Sequence, residues 1–383
     1  MTYLDYSANT PADSRVLERF CEVERSCPGN ANSRHQAGRD AKRVIDHATQ
    51  SIAGLLGAQP AEVIYTSGAS EANNFALKGL AKLSRHLGRH IISTPLEHSS
   101  VSGTLTALQE QGYEIDLVDI RRDGTIDLEH LKELLRPDTI AVAVTLVDSE
   151  LGVVQPVKEI SEILQAWPNC HLHVDATQAV GKIPVSFEGV DTMSLTAHKF
   201  YGLNGIGLLL KRRRLHEVRR GGGLALEPLI HGGESTTIYR SGTPTVALAA
   251  SLETALSSAV NELPERSARV KEANLYLRTT LSKYPKVRIN SPESAIPHIL
   301  NLSVENVKGT VFQRELDAEG VCVSVKSACS SDGLPSRAVF AVSRDRKNAL
   351  SSWRISLSHL TTQEELDGFL RAFDACCTRL TQL

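Results

Sequence analysis

Two apolar runs near the middle of the chain each end at residues that could do chemistry. The first run covers residues 171–174 and ends at Asp175, and the second covers 193–197 and ends at His198 and Lys199. Both runs have the length and the flanks of strands buried in a parallel sheet. Because ligands of such sheets collect at the carboxyl ends of the strands, we expect Asp175 and Lys199 to face one binding edge.

A carboxylate beside a lysine at such an edge suits the cofactor pyridoxal 5'-phosphate (PLP). The lysine amine can form a Schiff base with the cofactor aldehyde, and the carboxylate can keep the pyridine nitrogen protonated so that the ring accepts electrons. A buried Asp–Lys ion pair without any cofactor would explain the same two residues equally well. The remainder of the sequence has to separate these two interpretations.

Two further stretches could complete a PLP site. Residues 67–71 read Ser-Gly-Ala-Ser-Glu at a predicted strand-to-helix turn, where backbone N–H groups and the Ser70 hydroxyl can bind a phosphate. The alternative is an ordinary turn with a serine cap. His98 follows the next strand-like run, so its imidazole could stack on a cofactor ring and shuttle protons, or be a hydrogen-bonded loop histidine. Gln178, three residues after Asp175, could reach the phenolic oxygen of the cofactor from the same turn.

Towards the end of the chain, a cysteine and an arginine have the chemistry of a nucleophile and of a carboxylate ligand. Cys329 lies among small, polar and turn-forming residues with Lys326 nearby, which favours a reactive thiolate in an accessible loop. Arg354 adjoins a strand-like run, and its planar guanidinium suits a substrate carboxylate bidentately. An incidental loop cysteine and a surface arginine are the alternatives.

Strands and helices must alternate regularly to bring these residues to one edge. Apolar runs bounded by turn residues predict the strands, and most stretches between them have the spacing of helices. Such repeated units predict an α/β fold with a mainly parallel sheet and helices on both faces. A helix at 244–260 then links a large domain, 15–255, to a smaller α+β domain formed by 1–14 and 256–383. The predicted strands of the large domain are 63–66, 90–93, 115–118, 140–147, 171–174, 193–197 and 206–210.

Composition narrows the class of protein. The 383 residues contain 42 Lys and Arg against 44 Asp and Glu, a formal charge of −2, so no overall field favours nucleic acid or an anionic membrane. No apolar run approaches the ~20 residues of a membrane span, and the first residues lack the basic and apolar regions of a signal peptide, which predicts a cytoplasmic protein. Seven scattered cysteines without a CxxC pair predict neither a disulfide framework nor a metal site.

Taken together, the motifs resemble those of the cysteine desulfurases, which are class V members of the fold-type I PLP enzymes. The resemblance implies their large domain with a mainly parallel, seven-stranded sheet, a smaller C-terminal domain that carries the catalytic cysteine loop, and a homodimer. The long loop around Ser-Ala-Cys329 resembles the group I branch, which hands sulfur to partner proteins. The motifs occur in the family's order and read YLDYSANTP, TSGASEANNFALKG, EHSSV, ELGVVQPV, HVDATQAVGK, TAHKFYGLNGIGLL, RSGTPT, SAC and RISLS.

The resemblance also implies a role for each matching position. Lys199 would be the Schiff-base lysine, His98 the ring-stacking acid–base catalyst, and Cys329 the nucleophile that attacks the substrate sulfur. Arg354 and Ser149 would bind the substrate. The implied cofactor contacts are Lys199, Asp175, Gln178, His98, Ala69, Ser70, Thr196 and His198, with Thr243 reaching the phosphate of the neighbouring subunit.

The reaction implied is the conversion of L-cysteine to L-alanine with a persulfide on Cys329. The sulfur would pass to an acceptor protein in iron–sulfur cluster assembly, tRNA thiolation or DNA phosphorothioation, and the sequence does not choose among these. One alternative is another class V PLP enzyme: a selenocysteine lyase, an aminotransferase or a β-lyase.

A weakly active, partner-binding homologue is the remaining alternative, because the sequence departs from the family in two places. Asp148 and Ser149 stand where the family has an Asn pair, and residues 232–239 replace a glycine-rich run. An ionised Asp148 could only accept hydrogen bonds and would repel a phenolate or a carboxylate, whereas Ser149 could still donate.

Overall fold

The strands of the protein form one large sheet and two small ones. The structure is a computed structural model and describes residues 1–212, 226–233, 235, 237–326 and 334–381. The described strands are, in chain order, β1 (Thr2–Tyr3), β2 (Val63–Thr66), β3 (His90–Ser93), β4 (Glu114–Leu117), β5 (Thr139–Thr145), β6 (His171–Asp175), β7 (Thr192–Thr196), β8 (Gly207–Lys211), β9 (Val287–Ile289), β10 (Ile299–Val304), β11 (Val321–Cys322) and β12 (Ser352–Ser356).

The large sheet has seven strands in the order β2-β8-β7-β6-β5-β3-β4. Strand β8 runs antiparallel to both of its neighbours, and the other pairs are parallel. The register sets Asp175 beside Ser194 on one side and beside Thr145 on the other. The mainly parallel, seven-stranded sheet is therefore confirmed, and its central strands end at one edge.

Several interior strands of the large sheet are buried along their whole length, including β7, which contains Thr192, Ser194 and Thr196. Every residue of β5, β7 and β8 is buried, which is the pattern of strands covered by helices on both faces. The helices that precede and cover the sheet are Ser14–Ser26, Gln36–Leu56, Ala69–Ser84, Ser99–Gln109, Leu128–Leu134, Val157–Leu164 and Val246–Asn261.

A second apolar cluster lies in the C-terminal part of the chain and includes one residue of the N-terminus. Strands β9, β10 and β12 form an antiparallel sheet, and β1 pairs with β11 in parallel. Leu4, Phe312 and Trp353 belong to one buried cluster, in which the rings of Phe312 and Trp353 stack 5.1 Å apart. These contacts support the proposal that residues 1–14 and 256–383 form one domain, and its boundaries stay a prediction.

Several element boundaries differ from the sequence-based expectation. The sequence predicts a helix over residues 41–56, but this helix begins earlier, at Gln36, because the imidazole of His35 accepts from the N–H of Gly38 and caps an earlier turn. The strand expected over 140–147 is Thr139–Thr145. In the smaller domain, the apolar run at 322–325 predicts a strand, and the structure has the two-residue β11 there. The other described helices are Leu263–Leu281, Gly309–Ala318, Arg337–Ser343, Arg346–Ser351 and Gln363–Thr381. None of the described helices combines the length and the apolar character needed to cross a membrane.

Candidate active site

A cavity of about 350 Å³ lies at the carboxyl ends of the central strands. Asp175 is the last residue of β6, and Lys199 closes the short 3-10 turn that follows β7, so both reach the same edge. The residues predicted for the site that line this cavity are Ala69, Ser70, His98, Ser149, Asp175, Gln178, Thr196, His198, Lys199 and Arg354. The structure thus brings together most of the side chains that the sequence singled out.

One end of the cavity has the features of a phosphate site. Gly68 is the N-cap of the helix Ala69–Ser84, and no side chain caps the first amides of that helix. At its φ of 156°, a Cβ on Gly68 would lie 3.4 Å from Thr196 Oγ1, so glycine keeps this end open. The N-terminal amides, with the hydroxyls of Ser70 and Thr196 lining the same cavity, can bind an anion.

His198 borders the same end of the cavity as a neutral imidazole. Its Nδ1 lies 3.1 Å from Thr196 Oγ1. Burial, together with the charges of Lys199 and Lys182, lowers the pKa of His198 to about 4. The ring is therefore uncharged at neutral pH and would contribute a hydrogen bond rather than a charge to a phosphate.

The amine of Lys199 is held by the N-terminal segment of the chain. Its Nζ donates to the backbone carbonyl of Ser7 across 2.6 Å and to that of Ala8 across 2.7 Å. Ser7 and Ala8 also line the cavity. Residues that follow the first strand therefore form one wall of the site and set the position of its lysine.

The carboxylate of Asp175 is fixed by a buried polar network. It accepts from the N–H of Thr177 at 2.9 Å and from Asn73 Nδ2 at 2.8 Å. The amide oxygen of Asn73 lies 3.0 Å from His173 Nε2 and also accepts from the Ser194 hydroxyl. Burial lowers the pKa of His173 to about 4, so this imidazole is neutral. The network fixes the Asp175 carboxyl group in place through hydrogen bonds.

His98 is held with a defined tautomer beside these groups. It is the N-cap of the helix Ser99–Gln109, and its Nδ1 accepts from the N–H of Ser100 at 3.1 Å. Because Nδ1 is an acceptor, the neutral ring carries its proton on Nε2. Burial lowers the pKa of His98, Asp175 raises it, and Lys199 lowers it further. The lowered pKa favours the neutral ring over the imidazolium.

Arg354 approaches the cavity from the C-terminal sheet with its guanidinium already oriented. It lies within β12, and only 1% of its surface is exposed. Its Nη1 donates to the carbonyl of Ser149 at 2.7 Å, and its Nη2 donates to Asp5 Oδ1 at 2.8 Å. Its Nε has no hydrogen-bond partner among the described residues.

The expectation that Asp148 would oppose a bound anion is wrong for this geometry, because Asp148 does not line the cavity. Its Oδ2 accepts from the N–H of Leu151, which turns the carboxyl into its own loop. Burial and the nearby Glu150 raise its pKa to about 7. Ser149 lines the cavity in its place.

Two predicted site residues lie elsewhere. Thr243 lines a separate pocket of about 90 Å³ that shares Ser67 with the main cavity. Cys329 lies outside the described residues. The described residues on either side of its segment, Lys326 and Leu334, both line a second cavity of about 510 Å³. This second cavity adjoins the first, since Leu96, His98 and Ser149 line both.

The described residues fit PLP. The cavity contains a lysine amine, a fixed carboxylate and an open helix N-terminus, which match the aldehyde, the ring nitrogen and the phosphate of that cofactor. Ser7 and Thr177 line it, and their buried hydroxyls have no hydrogen-bond partner among the described residues. No group of three or more His, Cys, Asp or Glu side chains in the described part of the chain is arranged to hold a metal.

Sequence reasoning missed several residues that shape the site. Ser7 and Ala8 act through backbone carbonyls, which no side-chain pattern reveals. Asn73 had a signal, because it is a polar residue on the buried face of the helix that also carries Ala72, Ala76 and Leu77. A polar residue at such a position has to find a buried partner, and here the partner is the cofactor-facing carboxylate.

Known proteins resemble this chain over its whole length. Residues 2–369 match the family described as Aminotransferase class-V. The protein named cysteine desulfurase IscS from Proteus mirabilis is 39% identical over 388 positions, which cover 100% of this chain and 94% of that protein. A solved structure of a NifS-like protein superposes with a TM-score of 0.90 at 33% identity, covering 100% of both chains. The structure of SspA in complex with cysteine gives a TM-score of 0.80 at 29% identity, covering 94% of this chain and 100% of that one.

Proposed function

Because the chain belongs to the class-V aminotransferase family, we propose that it is a PLP-dependent cysteine desulfurase. Its reaction converts L-cysteine to L-alanine and leaves the sulfur as a persulfide on Cys329. The observation that carries the proposal is that Asp175, Lys199 and Arg354 line one cavity. A carboxylate and a lysine suit the cofactor, and the guanidinium suits the carboxylate of an amino-acid substrate.

The cofactor is held by groups with complementary chemistry. When bound, PLP supplies a ring that accepts electrons from the substrate and so weakens its C–S bond. Lys199 would hold the aldehyde, Asp175 would pair with the protonated ring nitrogen, and Gln178 would donate to the phenolic oxygen. The phosphate would be bound by Ala69, Ser70, Thr196 and His198, together with Thr243 of a second subunit.

The substrate is oriented by its carboxylate. Arg354 is fixed by Asp5 and by the Ser149 carbonyl, so its remaining N–H groups need little reordering to bind a carboxylate. The Ser149 hydroxyl can add one further donor. Together they fix the amino acid so that its reacting atoms face Lys199 and His98.

Protons are moved by two side chains. Lys199 Nζ takes and returns the proton at the α-carbon, since it is the amine at the reacting centre. His98 carries its proton on Nε2 and exchanges it with the substrate. Because burial lowers the pKa of His98, an imidazolium formed when the ring takes up a proton gives that proton up easily at neutral pH.

Sulfur leaves the substrate by attack of a thiolate. The Cys329 thiolate forms an S–S bond with the substrate sulfur while the C–S bond breaks, and a proton returned to the β-carbon yields alanine. Lys326 and Leu334 support this assignment, because the residues on both sides of the Cys329 segment line a cavity that adjoins the first. The persulfide then passes to a thiol of an acceptor protein.

The location, the oligomeric state and the partners of the protein are also part of this proposal. We infer a cytoplasmic homodimer that takes L-cysteine and delivers sulfur to an acceptor protein, with iron–sulfur cluster assembly among the pathways that it could supply. The separation of Thr243 from the main cavity supports a dimer, because a threonine that serves the partner's phosphate need not face its own. Light scattering on the purified protein would measure the mass directly.

The test of this function compares two cysteines. Cys329→Ser should retain the visible absorption of lysine-bound PLP but form neither alanine nor sulfide from L-cysteine. Cys322→Ser is the matched control, because Cys322 is half-buried in β11 and burial raises the pKa of its thiol, which disfavours a reactive thiolate. The control variant should therefore form alanine at the wild-type rate.

Each contrary outcome points to a different error. Full activity of Cys329→Ser on its true substrate would mean that the protein is not a desulfurase and catalyses another class V reaction. Failure of the wild-type chain to bind PLP would overturn the assignment of Lys199 and Asp175.

A further inference from the structure

A buried lysine that the proposed mechanism does not use contacts the cofactor-facing glutamine. Lys182 is 8% exposed, and its Nζ donates to Gln178 Oε1 across 2.9 Å. On its other side, Gln178 Nε2 donates to the carbonyl of Ser7 across 2.8 Å. Gln178 lines the cavity, whereas Lys182 lies behind it.

These two contacts determine the orientation of the Gln178 side-chain amide. The Ser7 carbonyl can only accept, so the amide nitrogen faces Ser7, and the amide oxygen accepts from an N–H of Lys182. The flipped amide would set its oxygen against the Ser7 carbonyl and would lose the hydrogen bond that its oxygen accepts from Lys182. Lys182 thereby keeps the donor end of Gln178 on the side of Ser7, whose carbonyl also accepts from Lys199.

A lysine at this position is costly for the fold, because burial disfavours a charged amine. Burial and the charges of Lys199 and Arg354 lower the pKa of Lys182 to about 7. The imidazoles of His198 and His298 also face it, and burial keeps both neutral, with a pKa of about 4 and about 3. Neutral or charged, the amine retains N–H groups that can donate to Gln178.

We propose that Lys182 is a positioning residue that locks the side-chain amide of Gln178 with its nitrogen towards the cofactor. This inference rests on the proposed function, in which Gln178 donates to the phenolic oxygen of PLP. Lys182 acts only through Gln178 and touches neither cofactor nor substrate. Methionine would fill the same volume without the donor, so packing alone does not require lysine.

The experiment is a double-mutant cycle on PLP affinity. Apo-protein is titrated with PLP for the wild type, Lys182→Met, Gln178→Leu and the double variant, and the absorption band of the bound cofactor is recorded across pH. Lys182→Met should weaken PLP binding roughly tenfold, about 1.4 kcal/mol, and shift the pH at which the band changes. In the Gln178→Leu background the same substitution should have no further effect.

Lys211→Met is the matched control. Lys211 is 7% exposed, but it lies on β8 with its Nζ 5.2 Å from the centre of the Tyr239 ring, away from the cavity. Its variant should bind PLP with wild-type affinity and show the wild-type spectrum. Thermal unfolding of each apo-protein separates a loss of fold from a loss of positioning.

Two results would overturn the proposal: wild-type affinity in Lys182→Met, or an equal loss of affinity with and without Gln178. Should Lys182→Met not fold, neutron diffraction from the PLP-loaded wild type decides, because an amide oxygen rather than deuterons on the cavity side would refute the locked orientation. None of these measurements uses L-cysteine, so they do not depend on desulfurase activity. A wild type that does not bind PLP would instead refute the proposed function itself.

Discussion

The carboxylate of Asp5 lies 2.8 Å from Nη2 of Arg354, so a residue from the start of the chain orients the arginine proposed to bind the substrate. The side chain of Arg354 is 2% exposed and that of Asp5 is 16% exposed, which makes this a largely desolvated pair. Breaking such a pair by removing one partner is costly, on the order of 3–5 kcal/mol. A conservative substitution is therefore the informative one.

Arg354→Lys should raise KM for L-cysteine by roughly 10- to 100-fold and change kcat less. The reason is that an ammonium keeps the charge for Asp5 but cannot bind a carboxylate with two parallel N–H groups. Arg278→Lys is the control, because Arg278 also donates to backbone carbonyls, those of Ser291 and Pro292, but does so outside the cavity. A fall in kcat at unchanged KM would count against a substrate contact.

Asp148→Asn should stabilise the protein at neutral pH. Burial and Glu150 raise the pKa of Asp148 from 3.8 to about 7, so the folded chain retains a proton that the unfolded chain has already lost. Stability contributed by this group therefore falls as pH rises from about 4 to 7 and is constant above. Asparagine does not ionise, so the variant does not lose this stability. We expect the difference in unfolding free energy at neutral pH to be on the order of a few kcal/mol.

Urea unfolding of the apo-protein at several pH values measures this effect. Asp123→Asn is the control of opposite sign, because hydrogen bonds from Thr125 lower the pKa of Asp123 and its carboxylate stabilises the fold as pH rises. That variant should lose stability at neutral pH. Parallel curves for the wild type and Asp148→Asn would contradict the raised pKa.

His98→Gln should lower kcat by about 10²–10³-fold and leave PLP affinity nearly unchanged. Because burial lowers the pKa of His98 below 6.5, the wild-type rate should hold down to that pH and fall only under more acidic conditions. The variant should lack this acidic limb. His86→Gln, at an exposed histidine bonded to the Leu83 carbonyl, should reproduce the wild-type profile. If His98→Gln retains the acidic limb, the limb reports the titration of another group.

Asn73→Ala should destabilise the apo-protein by about 1–3 kcal/mol and weaken PLP binding. The amide of Asn73 satisfies Asp175, His173 and Ser194 at once, and its loss leaves buried polar groups without partners. The neighbouring Asn74→Ala removes one bond to the Ser70 carbonyl and should cost much less. Unfolding free energies and PLP titrations for both variants give the comparison. Equal effects of the two would argue against a specific network.

The strands beside the cavity were predictable because buried parallel strands are apolar runs that end abruptly at polar residues. The predicted strands 63–66 and 90–93 coincide with β2 and β3. That Asp175 and Lys199 would meet followed from the rule that ligands collect at carboxyl ends of strands. Their neighbours Ser7 and Ala8 were not predictable, since backbone carbonyls carry no sequence signal and come from a remote part of the chain.

For Asp148, the sequence gives the residue type but not the direction of its side chain. Its type alone indicates a charge beside the cofactor, and only the loop geometry shows that the carboxyl turns towards Leu151. Lys182 likewise stands in the motif HVDATQAVGK, but its contact depends on the conformation of the turn after β6. Residue types can therefore be read from the sequence more securely than the directions in which side chains point.

The pairing of the N-terminus with C-terminal strands has a consequence for maturation. Ser7 donates through its N–H to the hydroxyl of Ser356, 349 positions later, and β1 pairs with β11. During translation, the hydrogen bond that anchors Ser7 to Ser356 cannot form until nearly all of these residues have left the ribosome. Contacts between such distant segments form late. Capture of the cofactor is therefore expected to follow synthesis, and the nascent chain would carry an incomplete site.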